Sequence, residues 1–127
     1  LVIQQMTSDL CLPVRIIGAA IARAENGLAL SSRNGYLSTS ELQQAAQLQA
    51  SLVAARLALE SGNADMQTIE EEAQQALEGA GFRRDYFTIC RQQDLQPATK
   101  EDKQLAIVAA AYLGGARLID NIRFTLP

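Results

Sequence analysis

The chain has 127 residues, of which 48% are hydrophobic, enough apolar volume for the core of one small domain. Its formal net charge is −3, from 11 Lys and Arg against 14 Asp and Glu, so it lacks the excess positive charge that nucleic-acid binding requires. It contains no histidine, which excludes a Ser-His-Asp triad, a Cys-His pair and an imidazole metal site within these residues.

Membrane insertion and metal binding are also disfavoured. No apolar run approaches the roughly 20 residues that span a bilayer, and no basic segment followed by an apolar run suggests a signal peptide. Cys11 and Cys90 have no second Cys or His near either of them, so we expect two buried or half-buried free thiols. These features predict a cytoplasmic protein with neither a membrane partner nor a metal site.

The start of the chain is predicted to complete a larger unit. Apolar residues recur there at helical spacing: Val2, Ile3, Met6 and Leu10. Pro13 disfavours helical geometry in the preceding residue and ends this helix. The β-branched run Val14–Gly18 predicts a short strand, whose partner strands we expect upstream. Because the chain opens on apolar residues instead of Met, we expect it to be a fragment.

Two Asn-Gly pairs, at residues 26–27 and 34–35, predict turns on either side of a short segment. That segment ends in Leu30, Ser31, Ser32 and Arg33, just before a helix. Two hydroxyls and a guanidinium beside free helix amides form an anion-binding cluster. From the residues alone, an ordinary polar turn is the commoner explanation.

Two helices are predicted next. Ser38–Glu41 matches a capping box, and an apolar stripe follows: Leu42, Ala45, Leu48, Leu52, Ala55 and Leu59. The segment Ser61–Asn63 ends this helix, and Asp65 caps the next one. The second helix has its own apolar face: Met66, Ile69, Ala73, Ala76, Leu77 and Ala80. Its acidic run Glu70–Glu72 indicates a solvated face rather than a metal site.

The last third of the chain is predicted to form strands. Asp85–Arg91 has the composition of a strand, and Gln92–Gln104 reads as a connection with one short helical turn. Leu105–Leu113 and Ala116–Phe124 flank Gly114-Gly115, the spacing of a two-residue hairpin, although the Ala-rich first arm also permits a helix. Three strands and two helices predict an α+β fold, with a small helical layer on an antiparallel sheet.

Three segments resemble pantothenate synthetases (pantoate–β-alanine ligases), in the order found in that family. GLALSSRNGYLS at 27–38 is similar to the family pattern D-G-L-A-[ML]-S-S-R-N-x-Y-L, and AIVAAAYLGGARLIDNI at 106–122 resembles its closing hairpin. VIQQMTSDLCLPVRIIG at 2–18 is similar to the helix and strand after its pantoate-binding region. The resemblance covers nearly the whole chain and implies the C-terminal portion of such an enzyme.

The resemblance also implies a division into two parts. Residues 1–37 would be the end of a Rossmann-like nucleotidyltransferase domain, with its last helix and strand and the mobile KMSKS-like loop. Residues 38–127 would be a C-terminal lid domain.

By the same resemblance, the intact enzyme would be a homodimer that condenses pantoate with β-alanine through a pantoyl adenylate, releasing AMP and pyrophosphate. Its small-molecule substrates would be ATP, with Mg²⁺, pantoate and β-alanine. Ser31, Ser32 and Arg33 would bind the ATP phosphates, Leu30 would begin the loop, and Ala22 would contact the adenine region through its backbone. Ala22 replaces the family's usual Val or Met, and Ala20 its usual Pro, which thins the packing against the base and loosens the loop.

Much of the family's site is expected before Leu1, including the HIGH-like histidines, the pantoate-binding glutamines and a G-x-K-D segment. We therefore expect no catalytic residue within this chain and no pantothenate synthesis by it alone. Two alternatives stay open: a non-enzymatic α+β interaction module, and a piece of another class I adenylyl-transferring enzyme such as an aminoacyl-tRNA synthetase. The acidic charge balance weakens the second alternative.

Overall fold

The computed structural model describes residues 1–62 and 65–127. In chain order the elements are helix α1 (Val2–Asp9), a 3-10 helix (Ser32–Tyr36), helices α2 (Thr39–Glu60) and α3 (Met66–Gly79), and strands β1 (Arg83–Arg91), β2 (Gln104–Leu113) and β3 (Ala116–Thr125). The strands form an antiparallel sheet in the order β1-β2-β3, against which α2 and α3 pack. The α+β prediction, with helices layered on an antiparallel sheet, is confirmed.

Helix α2 begins at the predicted capping box. The Ser38 hydroxyl accepts from Glu41 N at 3.3 Å, and the Glu41 carboxylate accepts from Ser38 N at 2.7 Å. This exchange lowers the pKa of Glu41, chiefly through the bond from the Ser38 backbone amide. The predicted stripe faces the core: Leu42 is partly buried, and Ala45, Leu48, Leu52, Ala55 and Leu59 are buried. The helix ends at Ser61 and Gly62, as predicted, while Asn63 lies outside the described residues.

Helix α3 is capped by Asp65, as predicted, which accepts from Thr68 N at 3.2 Å. Its buried face consists of Ile69, Ala73 and Leu77. Two residues of the acidic run have structural partners on β1 instead of only facing solvent. Glu70 accepts from Ile89 N at 2.6 Å, and Glu71 pairs with Arg84 at 2.8 Å. The Glu70 bond satisfies an outward-pointing amide of the sheet's edge strand.

The predicted hairpin is confirmed, with Leu113 opposite Ala116 and Gly114 at a positive φ of 53°. Alternate residues of β2 are buried against the helices: Leu105, Ile107, Ala109, Ala111 and Leu113. The Ala-rich arm is a strand because β2 is the central strand, paired with β3 along its whole length and with β1 over Leu105–Tyr112. This pairing outweighs the helical preference of alanine.

Helix α1 occupies the predicted helical segment, but its apolar residues Val2, Ile3, Met6 and Leu10 are exposed. The buried residue of this helix is Thr7, whose hydroxyl donates to Ile3 O at 2.7 Å. Among the described residues, no helix combines the length and the apolar character that crossing a membrane would need.

Two local predictions are wrong, the strand at Val14–Gly18 and the burial of Cys11. Val14–Gly18 forms no strand, because no described strand lies beside it to supply ladder hydrogen bonds. The turn predicted at Asn34-Gly35 is present as part of the 3-10 helix, where Leu37 N donates to Asn34 O at 3.1 Å and Gly35 does not adopt a positive φ. The connection Gln92–Gln104 contains no helix, but the bond from Leu95 N to Arg91 O at 3.0 Å closes one isolated helical turn ahead of the bridge between Pro97 and Cys90. Cys11 is exposed instead of buried, since it follows the solvent-facing α1; Cys90 is buried, and both thiols are free.

Candidate functional site

Residues 22–30 form a small hairpin-like loop ahead of the Ser-Ser-Arg segment. Leu30 N donates to Ala22 O at 2.9 Å, and Ala24 N donates to Leu28 O at 2.9 Å. The turn between them is the predicted one at Asn26-Gly27, where Gly27 adopts a φ of 89° and the Asn26 side chain accepts from Leu28 N. These bonds give the loop a fixed shape of its own.

The loop is anchored to β3 by an ion pair. Arg23 and Asp120 form two parallel bonds, Nη1–Oδ2 at 2.6 Å and Nη2–Oδ1 at 3.0 Å, and Arg23 Nη1 also donates to Gly27 O at 2.9 Å. The Asp120 side chain is only 3% exposed, and Oδ1 also accepts from Asn121 N. A single arginine therefore ties the loop's own turn to a buried carboxylate of the sheet.

The 3-10 helix is fixed at both ends by buried leucines and internal hydrogen bonds. Leu28 and Leu37 lie in the same core as α2 and the sheet. The Ser31 hydroxyl caps the 3-10 helix by accepting from Arg33 N at 3.2 Å, and Asn34 Nδ2 donates to Ala29 O at 3.0 Å. The division of the chain between residues 37 and 38 stays a prediction, but these two leucines pack on the later elements.

A cleft of about 350 Å³ lies between this segment and the sheet. Of the five residues expected to bind ATP, Leu30, Ser31 and Arg33 line it. Ser32 and Ala22 are exposed and lie outside its lining, and the backbone oxygen of Ala22 is occupied by the bond from Leu30 N.

The Arg33 side chain stands apart from the other charged side chains that the structure describes. Arg33 is exposed, and within residues 1–62 and 65–127 its guanidinium has no ion pair or hydrogen bond. The structure therefore leaves a cation available at the cleft.

The sheet adds residues that sequence reasoning missed. The consecutive β3 residues Arg117–Asn121 line the cleft, together with Tyr86 of β1. The Arg and Asp of the A-R-L-I-D-N pattern were a sequence signal for this side of the site. From the sequence, this pattern predicted only a hairpin, because nothing in the sequence places it beside residues 28–34.

The charged side chains around the cleft leave a net positive charge, which favours the binding of an anion. Asp120 is neutralised by Arg23, while Arg117 Nε bonds Asp85 Oδ2 at 2.7 Å, which raises the pKa of Arg117. In the described part of the chain, Arg33 is left without an opposing carboxylate. Among the described residues, no group of three Asp, Glu, Cys or His could hold a metal ion.

Comparison with known proteins gives a consistent result along the whole chain. The family model described as pantoate-beta-alanine ligase matches residues 1–123. A pantothenate synthetase of Marinomonas sp. is 54% identical over 125 residues, and one of Pseudomonas fluorescens is 48% identical. Each alignment covers 98% of this chain but 44% of the relative, so the chain spans less than half the length of these proteins.

Solved structures agree with the sequence comparison. A pantothenate synthetase of Thermus thermophilus superposes with a TM-score of 0.89 at 34% identity, over 99% of this chain and 45% of that one. A pantoate-beta-alanine ligase of Francisella tularensis, solved in complex with beta-gamma ATP and beta-alanine, superposes with a TM-score of 0.63 at 25% identity, over 95% of this chain and 38% of that one.

Proposed function

The chain belongs to the pantoate–β-alanine ligase family, and from that premise we propose that it carries part of the ATP site of such a ligase. The reaction is the ATP-dependent condensation of pantoate with β-alanine through a pantoyl adenylate, with release of AMP and pyrophosphate. The observation that supports this role is the Arg33 guanidinium, which has no partner among the described residues and lines a cleft together with Ser31. Family membership makes two alternatives poorer explanations: a non-enzymatic interaction module, and a piece of another adenylyl-transferring enzyme such as an aminoacyl-tRNA synthetase.

Arg33 suits the chemistry of adenylate formation. Pyrophosphate leaves as pantoate attacks the α-phosphorus, and the negative charge on the phosphates must be held in place as it shifts. A planar guanidinium can contact two phosphate oxygens at once, whereas the Ser32 hydroxyl, which lies outside the cleft lining, would have to turn toward the phosphates to donate to a third. The Ser31 hydroxyl already accepts from Arg33 N and can still donate its proton to a phosphate.

The contact from Ala22 to the adenine region would use its backbone N–H or the second lone pair of its carbonyl oxygen. Its carbonyl oxygen already accepts from Leu30 N, which fixes the direction of this backbone at the mouth of the loop. The methyl side chain of Ala22 adds little packing against a base.

Mg²⁺ would enter this site with ATP, neutralising phosphate charge. The described residues contain no cluster of three acidic, thiol or imidazole side chains, so we assign none of them to the ion. We further propose a cytoplasmic homodimer as the working form, and no pantothenate synthesis by the 127-residue chain alone, which has no histidine.

The test is Arg33→Ala in the longest natural polypeptide that contains this sequence. Pyrophosphate release from ATP and pantoate should fall by about 100-fold, the usual loss when a donor that stabilises transition-state charge is removed. Arg56→Ala is the control, because Arg56 lies on α2, outside the cleft, and pairs with Glu60 at 3.6 Å. An unchanged rate for Arg33→Ala would remove the basis for the ATP assignment.

The inactivity of the 127-residue chain is tested separately. The purified chain is supplied with ATP, Mg²⁺, pantoate and β-alanine, and AMP is measured. AMP release that depends on pantoate would contradict this part of the proposal while leaving the role of Arg33 intact.

A further inference from the structure

We propose that Arg117, at the start of β3, is a second arginine that binds the phosphate chain of ATP, acting from the sheet side of the cleft that Arg33 lines. This inference rests on the proposed function and extends its site. Arg33 and Arg117 are 84 positions apart in sequence, yet both line one cleft of about 350 Å³.

Arg117 reaches the cleft because of the alternation of side chains along β3. Its neighbours Ala116 and Leu118 are buried in the core, so the side chain between them projects from the other face of the strand. The Arg117 side chain is 42% exposed. Tyr86, on β1, lines the same cleft and lies under the guanidinium, 5.9 Å from ring centroid to Cζ.

The partners of the Arg117 guanidinium orient it and leave donors that can bind a ligand. Asp85 occupies a break in the register between β1 and β2, and its Oδ2 accepts from Arg117 Nε at 2.7 Å. The two terminal nitrogens, Nη1 and Nη2, have no hydrogen-bond partner in the part of the chain that the structure describes. The side chain is therefore held at Nε with its outer edge open, the edge that binds phosphate oxygens in pairs.

The placement of two guanidinium groups at one cleft favours an anion with several charged oxygens. Asp120, the carboxylate in the described lining, is engaged by Arg23, and Asp85, which bonds Arg117 at Nε, does not line the cleft. Two separate guanidinium groups match a di- or triphosphate, whose charges are spread over several groups, better than a single carboxylate. The ligand class is thus the polyphosphate of ATP or the pyrophosphate that leaves.

Arg83 provides a matched control. It lies in the same row of the sheet, since Tyr112 pairs with Arg83 on one side and with Arg117 on the other. Its guanidinium stacks on the Tyr112 ring at 4.0 Å, and it does not line the cleft. Arg83→Gln therefore removes the same charge from the same row without touching the site.

The experiment uses the longest natural polypeptide that contains this sequence and titrates it with inorganic tripolyphosphate by calorimetry. We expect Arg117→Gln to weaken tripolyphosphate binding about tenfold and to raise the KM for ATP by a similar factor, with a smaller change in kcat. Arg83→Gln should bind like the wild type. Arg117→Lys keeps the charge without the fork and should weaken binding about threefold, so it serves as the test if Arg117→Gln fails to fold.

The outcomes separate this inference from the function on which it rests. Wild-type binding by Arg117→Gln, with weak binding by Arg33→Ala, would overturn the role of Arg117 and leave the ATP site standing. Wild-type binding by both variants would overturn both proposals. Equal weakening by Arg83→Gln and Arg117→Gln would overturn the inference, because the effect would then come from the charge of the sheet face and not from the cleft.

Discussion

Asp120 on β3 holds Arg23 by two bonds, of 2.6 and 3.0 Å, although the two residues are 97 positions apart in the chain. The carboxylate is nearly inaccessible to solvent, whereas the guanidinium is about one quarter exposed. Arg23 also holds the turn of its own loop through Gly27 O. The loop that precedes the Ser-Ser-Arg segment is therefore positioned by the sheet.

Asp120→Ala should lower the free energy of unfolding by about 3 kcal/mol, the lower end of the range for breaking a buried pair, because Arg23 keeps partial access to water. Urea denaturation measures this difference. Asp94→Ala, which breaks the exposed pair of Asp94 with Arg91, is the control and should cost less. The double variant with Arg23→Ala should recover part of the loss, and strictly additive effects would show that the two residues do not act as a pair.

Gly114→Ala should destabilise the protein by about 2 kcal/mol, whereas Gly115→Ala should be nearly neutral. Gly114 has a φ of 53°, and a Cβ there would lie 2.9 Å from Glu41 Cδ and overlap its Oε1. No atom of the described residues lies within 4 Å of a Cβ added at Gly115. Thermal unfolding of the two variants measures the difference, and equal melting temperatures would refute the contact between the hairpin tip and the capping box of α2.

The Glu70→Gln variant should be more stable than the wild type at pH 7, and this difference should disappear at acidic pH. Burial raises the pKa of Glu70, and the bond from Ile89 N only partly opposes this shift. The folded state therefore holds the proton more tightly than the unfolded chain. The contribution of Glu70 to stability is fully present below its ordinary pKa of 4.5. It is lost as the pH rises through the raised pKa of Glu70 in the folded state.

Urea denaturation of wild type and Glu70→Gln from pH 4 to 7 tests this expectation. The glutamine keeps an acceptor for Ile89 N, whereas Glu70→Leu removes the acceptor and should be less stable than Glu70→Gln at every pH. A stability difference between wild type and Glu70→Gln that stays constant with pH would contradict the raised pKa.

Cys11 should be alkylated by iodoacetamide much faster than Cys90 in the folded protein. Cys11 is exposed, whereas Cys90 is buried, donates to Ala106 O at 3.3 Å and has its pKa raised by burial. Mass spectrometry of peptides after timed quenching separates the two rates. The difference should disappear in denaturing urea, and equal rates in the folded protein would contradict the burial of Cys90.

The sequence by itself determined the parts of the fold that depend on near neighbours. A capping box joins residues three apart, so Ser38 and Glu41 marked the start of α2 without further information. The same reason made it possible to predict the apolar stripes of α2 and α3 and the two-residue hairpin at Gly114-Gly115. The Ser31–Arg33 segment was also visible as a candidate anion site, because its residues are contiguous.

Only the tertiary structure decided the features that join distant residues. Val14–Gly18 has the composition of a strand, but strand formation requires a neighbour, and none of the described strands lies beside it. The pair of Arg23 with Asp120 and the approach of Arg117 to the cleft of Arg33 depend on where β3 lies in the sheet. Hydrogen bonds and ion pairs act over a few ångströms in space. The separation of two residues along the chain therefore does not predict such a contact, which forms only when the fold brings the partners together.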